Sequence, residues 1–360
     1  MKLRALALIT TALVCCNIVA FAEKYYTLSE IRKQATDGWH ETYTDKFGRT
    51  RHVDIDIEVF GGENAPVLKI CWGESPEIRF SSYGNNKSRS PLDDIAEAEM
   101  KRGGITTYLY ESVRGMNVDF DQRYAEAYGS DLTVCEMVTF LKEVLQKQGN
   151  EQNYLWEQPC LFDLRYSKHK KTGEILVPPT YYLQFLQTEY GLPILSDVGR
   201  AFKRGIDIPI CLPSLFFSML DCNSYGCTIF DVDVQQILAE NIPLCSIENV
   251  IEAAREMIEN GYVYRVLSLK FGYVIYTDPD YKWNKRDEAI DISTWYLVPS
   301  WVMECHILND PRTNKVTGNP NTKGLVINAQ TGEMMDWFDT SLYGRGDGRY
   351  RGFISWEEIE

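Results

Sequence analysis

Apolar and polar residues alternate strictly along His52-Val53-Asp54-Ile55-Asp56-Ile57-Glu58-Val59. Val53, Ile55, Ile57 and Val59 share one face, and Asp54, Asp56 and Glu58 share the other, which is the pattern of a strand with one wet side. Phe47-Gly48-Arg49 before it reads as a hairpin turn from a strand over 39–44. The same region is predicted to open with a helix near 29–37, with Ser29 as its cap. Strands follow over 66–72 and 105–111, separated by a polar loop over 84–91 and a helix over 92–102.

Helical spacing takes over at Val134, Val138, Leu141 and Leu145, which lie on one face between Asp131 as cap and Gly149 as stop. Strand patterns follow over 154–167 and at Tyr181–Gln187. Glu189–Pro193 reads as a turn, and Leu215–Asp221 with Cys227–Val234 as a hairpin. A second helix is predicted from Ser246, its cap, to Asn260, with Gly261 as stop and an apolar stripe of Val250, Ala253, Ala254, Met257 and Ile258. After it come β segments over 262–276, broken near Gly272, and over 294–308. A polar loop over 309–323 leads to a strand at Leu325–Ala329 and a tight turn at Gln330-Thr331-Gly332. Helix, glycine and successive antiparallel strands thus occur twice, without a sequence repeat of fixed period. The expected class is α+β, with helices on antiparallel sheets. Three regions are expected: a β-rich N-terminal region over 23–130, a first α+β unit over 131–240, and a second over 241–360 with a C-terminal tail.

The first 22 residues stand apart. A basic start (Lys2, Arg4), a short apolar run and Ala20-Phe21-Ala22 describe a secretory signal peptide cut after Ala22. The run is short for a span of about 20 residues, and no later stretch is long and apolar enough to cross a bilayer. Val14 before Cys15, and Cys15 before Cys16, argue against lipid anchoring. The expected location is secreted or on the exterior of the cell envelope.

Charge narrows the partners. Against 37 Lys and Arg stand 51 Asp and Glu, a net −14, so the surface repels phosphate backbones and nucleic acid is not an expected partner. Beyond the leader lie Cys71, Cys135, Cys160, Cys211, Cys222, Cys227, Cys245 and Cys305. Only Cys222 and Cys227, spanning the turn Asn223–Gly226, form a local candidate disulfide. Cys135, on a helix face, reads as a small buried apolar residue.

Catalytic patterns are sparse. HExxH, GxSxG, GxxxxGK and GxGxxG are all missing from the sequence. Cys305 and His306 are adjacent, and neighbours on a strand point to opposite faces, so they read as a core cysteine and a surface histidine. Asp278-Pro279-Asp280, with Asn284, Asp287 and Glu288, lacks EF-hand spacing and reads as a solvated loop. Gly344–Gly348 holds the triplet Arg345-Gly346-Asp347, a candidate adhesion loop resting on three residues. No catalytic, metal or cofactor-binding residue is assigned. The 8 Trp and 22 Tyr leave room for an aromatic-lined recognition surface.

Tyr296-Leu297-Val298-Pro299-Ser300-Trp301, followed by Ile327-Asn328-Ala329-Gln330-Thr331-Gly332, resembles the closing strands of PepSY-like and YycH/YycI-type extracytoplasmic regulators. Tyr182–Phe185 with Gly191-Leu192-Pro193-Ile194 resembles a PepSY-type strand and turn. Trp39-His40-Glu41 resembles the Trp-plus-acid start of a group of exported Gram-positive proteins. The resemblance covers about residues 131–337. It implies PepSY-like or cystatin-like helix-on-sheet units and a non-catalytic role, with an envelope or membrane protein or peptide as partner. The cleavable leader departs from the uncleaved membrane helix usual in YycH/YycI proteins. The alternative reading is a secreted hydrolase acting on envelope glycan or peptide.

Overall fold

The structure is a computed structural model that describes residues 24–72, 77–81, 107–112, 119–124, 131–147, 153–157, 161–168, 172, 175–195, 214–221, 224–230, 232–277, 295–308, 321–337 and 353–359. Helix α1 (Leu28–Ala35) starts from Thr27, not Ser29. Glu30 N–H donates to Thr27 Oγ1 (3.4 Å) and Thr27 N–H to Glu30 Oε2 (2.8 Å), a reciprocal capping box. Strands β1 (Trp39–Thr44) and β2 (Thr50–Ile55) form the expected hairpin, with His40 opposite Asp54 and Thr42 opposite His52. The alternating run then breaks at Asp56. Strand β3 (Ile57–Val59) leaves the hairpin and pairs in parallel with a much later strand.

Strands β4 (Val67–Trp72), β5 (Glu77–Ser81) and β6 (Thr107–Ser112) precede helix α2 (Val134–Lys147). Thr133 and Glu136 form its capping box in place of Asp131, and Val134, Met137, Val138, Leu141 and Leu145 are its buried face. Cys135 is exposed on α2, not buried as its sequence context suggests. Then come β7 (Leu161–Lys168), β8 (Ile175–Leu186), the short β9 (Thr188–Glu189) and β10 (Leu192–Pro193), β11 (Ser214–Asp221), β12 (Ser224–Phe230) and β13 (Val232–Ala239). Helix α3 (Ile247–Glu259) follows, capped by Ser246 as expected and closed by Gly261 at φ +78°. Strands β14 (Val263–Thr277), β15 (Trp295–Ile307), β16 (Asn321–Asn328) and β17 (Met334–Trp337), and helix α4 (Trp356–Ile359), complete the described elements.

Seventeen strands against four short helices among the described residues overturn the α+β expectation of helix-on-antiparallel-sheet, PepSY-like or cystatin-like units. The protein is mostly β. One six-stranded sheet runs β5-β12-β11-β8-β7-β6. A larger one runs β13-β4-β15-β14-β3, with β16 on β15 and β17 on β16. The helix-then-meander order along the chain suggested local units, but the sheets are assembled by distant pairings. β4 joins β13 and β15, and β5 joins β12, each a pairing between strands more than a hundred residues apart in the chain.

β15 explains most of the large core. It is paired along its length by β14 and on the other side first by β4 (Trp295–Leu297) and then by β16 (Ser300–Ile307). Pro299 falls in the gap between those last two pairings, where a residue without an N–H is tolerated. Trp295, Leu297, Trp301, Met303 and Cys305 are buried on this strand, with Phe271 of β14 edge-on to Trp301 at 5.1 Å. β14 is unbroken at Gly272. A Cβ there would lie 2.5 Å from the carbonyl oxygen of Pro193, so glycine is needed for close backbone approach, not for a break.

Candidate functional site

The two sheets meet where β8 ends. Gln187 is fully buried and uses its side-chain amide as a strand would. Its Nε2 donates to Val232 O (2.7 Å), and its Oε1 accepts from Val232 N–H (2.8 Å), while Nε2 also reaches Glu189 Oε1 (2.8 Å). The amide therefore fixes the first residue of β13. Burial pushes the Glu189 carboxyl above its ordinary range, the Gln187 hydrogen bond opposes this, and the Asp233 charge adds to it.

Beyond Gln187 the chain makes the tiny hairpin β9–β10, whose two-residue turn is Tyr190-Gly191. Both have positive φ, 51° and 76°, as a type I′ turn requires. Tyrosine in this conformation costs about 1–2 kcal/mol, and the residue is 48% exposed. The surroundings hold it there. A Cβ on Gly191 would lie 3.0 Å from Gly61 Cα, Gly62 N–H donates to Tyr190 O (3.4 Å), and Arg32 donates to the carbonyls of Gly61 (2.8 Å) and Gly62 (2.9 Å). The return arm is fixed to β14 by Leu195 N–H donating to Tyr273 O (2.8 Å).

Among the described residues β13 is the end strand of the larger sheet, with β4 as its one strand partner. Its pairing with β4 skips twice. Val234 sits opposite Ile70 and Gln236 opposite Lys69, leaving Gln235 over; Ile237 sits opposite Leu68 and Ala239 opposite Val67, leaving Leu238 over. The first bulge matters chemically. It returns Ile237 to the same face as Val232 and Val234, in line with Ile70 and Leu68 of β4 and with Trp295 and Leu297 of β15. That face is buried through Leu297, Leu68, Ile70 and Val232, and then runs out at the edge, where Val234 is 36% and Ile237 42% exposed. The other face carries Tyr296, Lys69, Asp233 and Gln236. An apolar face that reaches an open strand edge can extend a partner strand by backbone hydrogen bonds and side-chain packing together.

The residues singled out from sequence lie elsewhere. Cys227 is on β12, opposite Phe217 and Ile78 in register, while Cys222 lies outside the described residues. Arg345, Gly346 and Asp347 and the acidic loop at 278–288 also lie outside them. Cys305 is buried, with its thiol pushed up by burial, and His306 is half-buried, opposite Arg265 in register. His40 and His52 sit on the wet face of the β1–β2 hairpin. His40 Nδ1 is 2.6 Å from Asp54, and His52 Nδ1 is 3.0 Å from Thr42 Oγ1. Among the described residues no group of three His, Cys, Asp or Glu is placed to hold a metal, and no helix is long and apolar enough to cross a membrane. The edge at β13 escaped sequence reading because 227–234 reads as one strand. Phe230 and Val232, on either side of Asp231, belong to different sheets.

No family model and no curated protein matches the chain. The crystal structure of an uncharacterized protein from Eubacterium rectale is similar over 85% of this chain and 97% of that one, at 10% identity and a TM-score of 0.45.

Proposed function

We propose that this is an exported, non-catalytic binding or regulatory protein of the cell envelope, and that it takes an extended segment of a partner protein as an added strand on β13. The carrying observation is the apolar face that the Gln235 bulge brings to the open edge at Val234 and Ile237. Edge strands normally discourage pairing with lysine, proline or bulges. β13 has bulges, but neither lysine nor proline along its length. Exposed Glu240 just past the strand favours a segment carrying lysine or arginine beside alternating apolar residues. Gln187 supports the reading by bonding both backbone groups of Val232, which holds the start of β13 in strand geometry before any partner arrives and leaves the edge from Val234 onward for pairing.

The test is selection from a random dodecapeptide library against the chain starting at Glu23, with the Val234→Lys/Ile237→Lys variant in parallel. Enrichment of alternating apolar, cationic peptides that the variant does not bind supports the reading. Peptides that bind wild type and variant alike, or no enrichment at all, overturn it. Export rests on the leader pattern of residues 1–22, and predicts a secreted species whose N-terminal residue is Glu23 by mass spectrometry.

A further inference from the structure

The tip of the β1–β2 hairpin has a chemistry opposite to that of the chain as a whole. Within Asp45–Arg51 the one acid, Asp45, is fully enclosed. It accepts from the N–H groups of Phe47 (2.9 Å) and Arg49 (3.0 Å), from Arg49 Nε (2.6 Å) and from Arg51 Nη2 (3.2 Å). The cations face aromatic rings. Arg49 Cζ is 4.7 Å from the Phe47 ring centre, Lys46 Nζ is 5.5 Å from Phe47 and 5.3 Å from Tyr262, and Arg51 Cζ is 5.3 Å from Tyr264. Phe47 and Tyr264 are 38% and 40% exposed, and Lys46 is exposed.

Part of this is structural. Asp45 organises the turn, and Lys46 N–H donates to Glu259 O (2.7 Å) at the C-terminal end of α3, where positive charge is favoured. That role does not require two large rings in water, nor a third cation, Lys46, beside the Arg49 and Arg51 pair in a chain of net −14. It also leaves Arg49 Nη2 buried without an acceptor, an unmet donor on a guanidinium.

We propose that this hairpin tip, with Tyr262 and Tyr264, is a second binding surface, and that it takes an acidic polysaccharide. Each unit of such a polymer presents a flat C–H face suited to the Phe47 and Tyr264 rings. Its sulfate or carboxylate groups suit exposed Lys46 and the partly exposed Arg49, while buried Arg51 holds Asp45 beneath them. An acidic peptide offers the charge without the flat face. The surface is separate from β13 and does not depend on peptide binding there.

The experiment is a binding titration of the chain from Glu23 against dextran sulfate, neutral dextran and poly-L-glutamate across a salt series. The expected result is binding to dextran sulfate that weakens steeply with salt, with little binding to the other two. Tyr264→Ser should weaken it about tenfold, and Lys46→Ala should lower the salt slope by about one. Melting temperatures of both variants should match wild type, because both positions are exposed. Phe47 packs on Gly261, so Phe47→Ala is a secondary variant. Equal binding of poly-L-glutamate, dextran sulfate binding unchanged in Tyr264→Ser, or no binding to dextran sulfate at low salt each overturns the proposal.

Discussion

β15 and β13 lie in one sheet with only β4 between them, yet they are opposite in character. β15 has partners on both sides and is buried along nearly all of its 13 residues. β13 has β4 on one side, and is exposed from Asp233 through Ile237. The tyrosine, proline and tryptophan motif that stands out in the sequence belongs to β15, where each residue is explained by packing. The proposed recognition surface belongs to β13, where the fold adds a bulge and leaves two aliphatic residues, Val234 and Ile237, exposed. In this sheet, residues with conspicuous chemistry build the centre, and residues with ordinary chemistry in an unusual position are available for binding.

The sharpest way to break this contrast is at the centre. Trp301→Ala should cost about 3–5 kcal/mol in urea unfolding, because it empties the space against Phe271 in a fully buried layer. Asp45→Asn comes next, at about 2–3 kcal/mol, since it weakens charge-assisted bonds to Arg49 and Arg51. Burial alone would raise the Asp45 carboxyl, but the Arg49 backbone and side-chain hydrogen bonds, the Phe47 N–H and the Arg49 charge outweigh it and hold it below its ordinary value. The stability this gives is fully present above the unfolded value of about 3.9 and is lost as pH falls through the lower folded value. Asp45→Asn should remove that part of the acid sensitivity in melting curves taken between pH 7 and pH 2.

Gly272→Ala should cost about 1–3 kcal/mol, because the new methyl meets the Pro193 carbonyl. Its signature is faster proteolysis within 188–195, where the hairpin leaves β14. Glu189→Gln should have a smaller effect of the opposite sign. Its carboxyl is raised in the folded protein, chiefly by burial, so the folded state is favoured as pH falls through that raised value and is penalised above it. The variant should therefore melt higher than wild type at pH 7, with the difference vanishing below about pH 4. Smallest of all, Val234→Lys/Ile237→Lys should change stability by about 0.5 kcal/mol or less while abolishing peptide binding.

What the sequence disclosed follows the range of the interactions involved. The β1–β2 hairpin, the strand through Tyr181–Leu186, helix α3 with its Ser246 cap and the β14–β15–β16 run were legible, because each is written in local periodicity or in a cap. The dominance of β structure was not, because it depends on pairings such as Lys69 with Gln236 and Ile78 with Cys227, more than a hundred residues apart in the chain. Cap positions slipped where two candidates stood close together. Thr27 displaced Ser29 because only Thr27 has a glutamate three residues on to complete a box. Gly272 looked like a break, since a glycine in a strand and a glycine ending one leave the same trace in sequence. The exposure of Tyr190 and the face of Ile237 depend on a positive φ and on one unpaired residue, and both require the folded chain.

The most direct test of the central claim is amide hydrogen exchange along β13, with and without a peptide selected from the library. Strand addition predicts that alternate amides from Val234 to Ala239 become protected, while the Val232 amide, already bonded to Gln187, and exchange in β15 and at the 45–51 tip stay as they were. Protection confined to the 45–51 tip or to any face other than β13, with the β13 amides unchanged, would contradict the account.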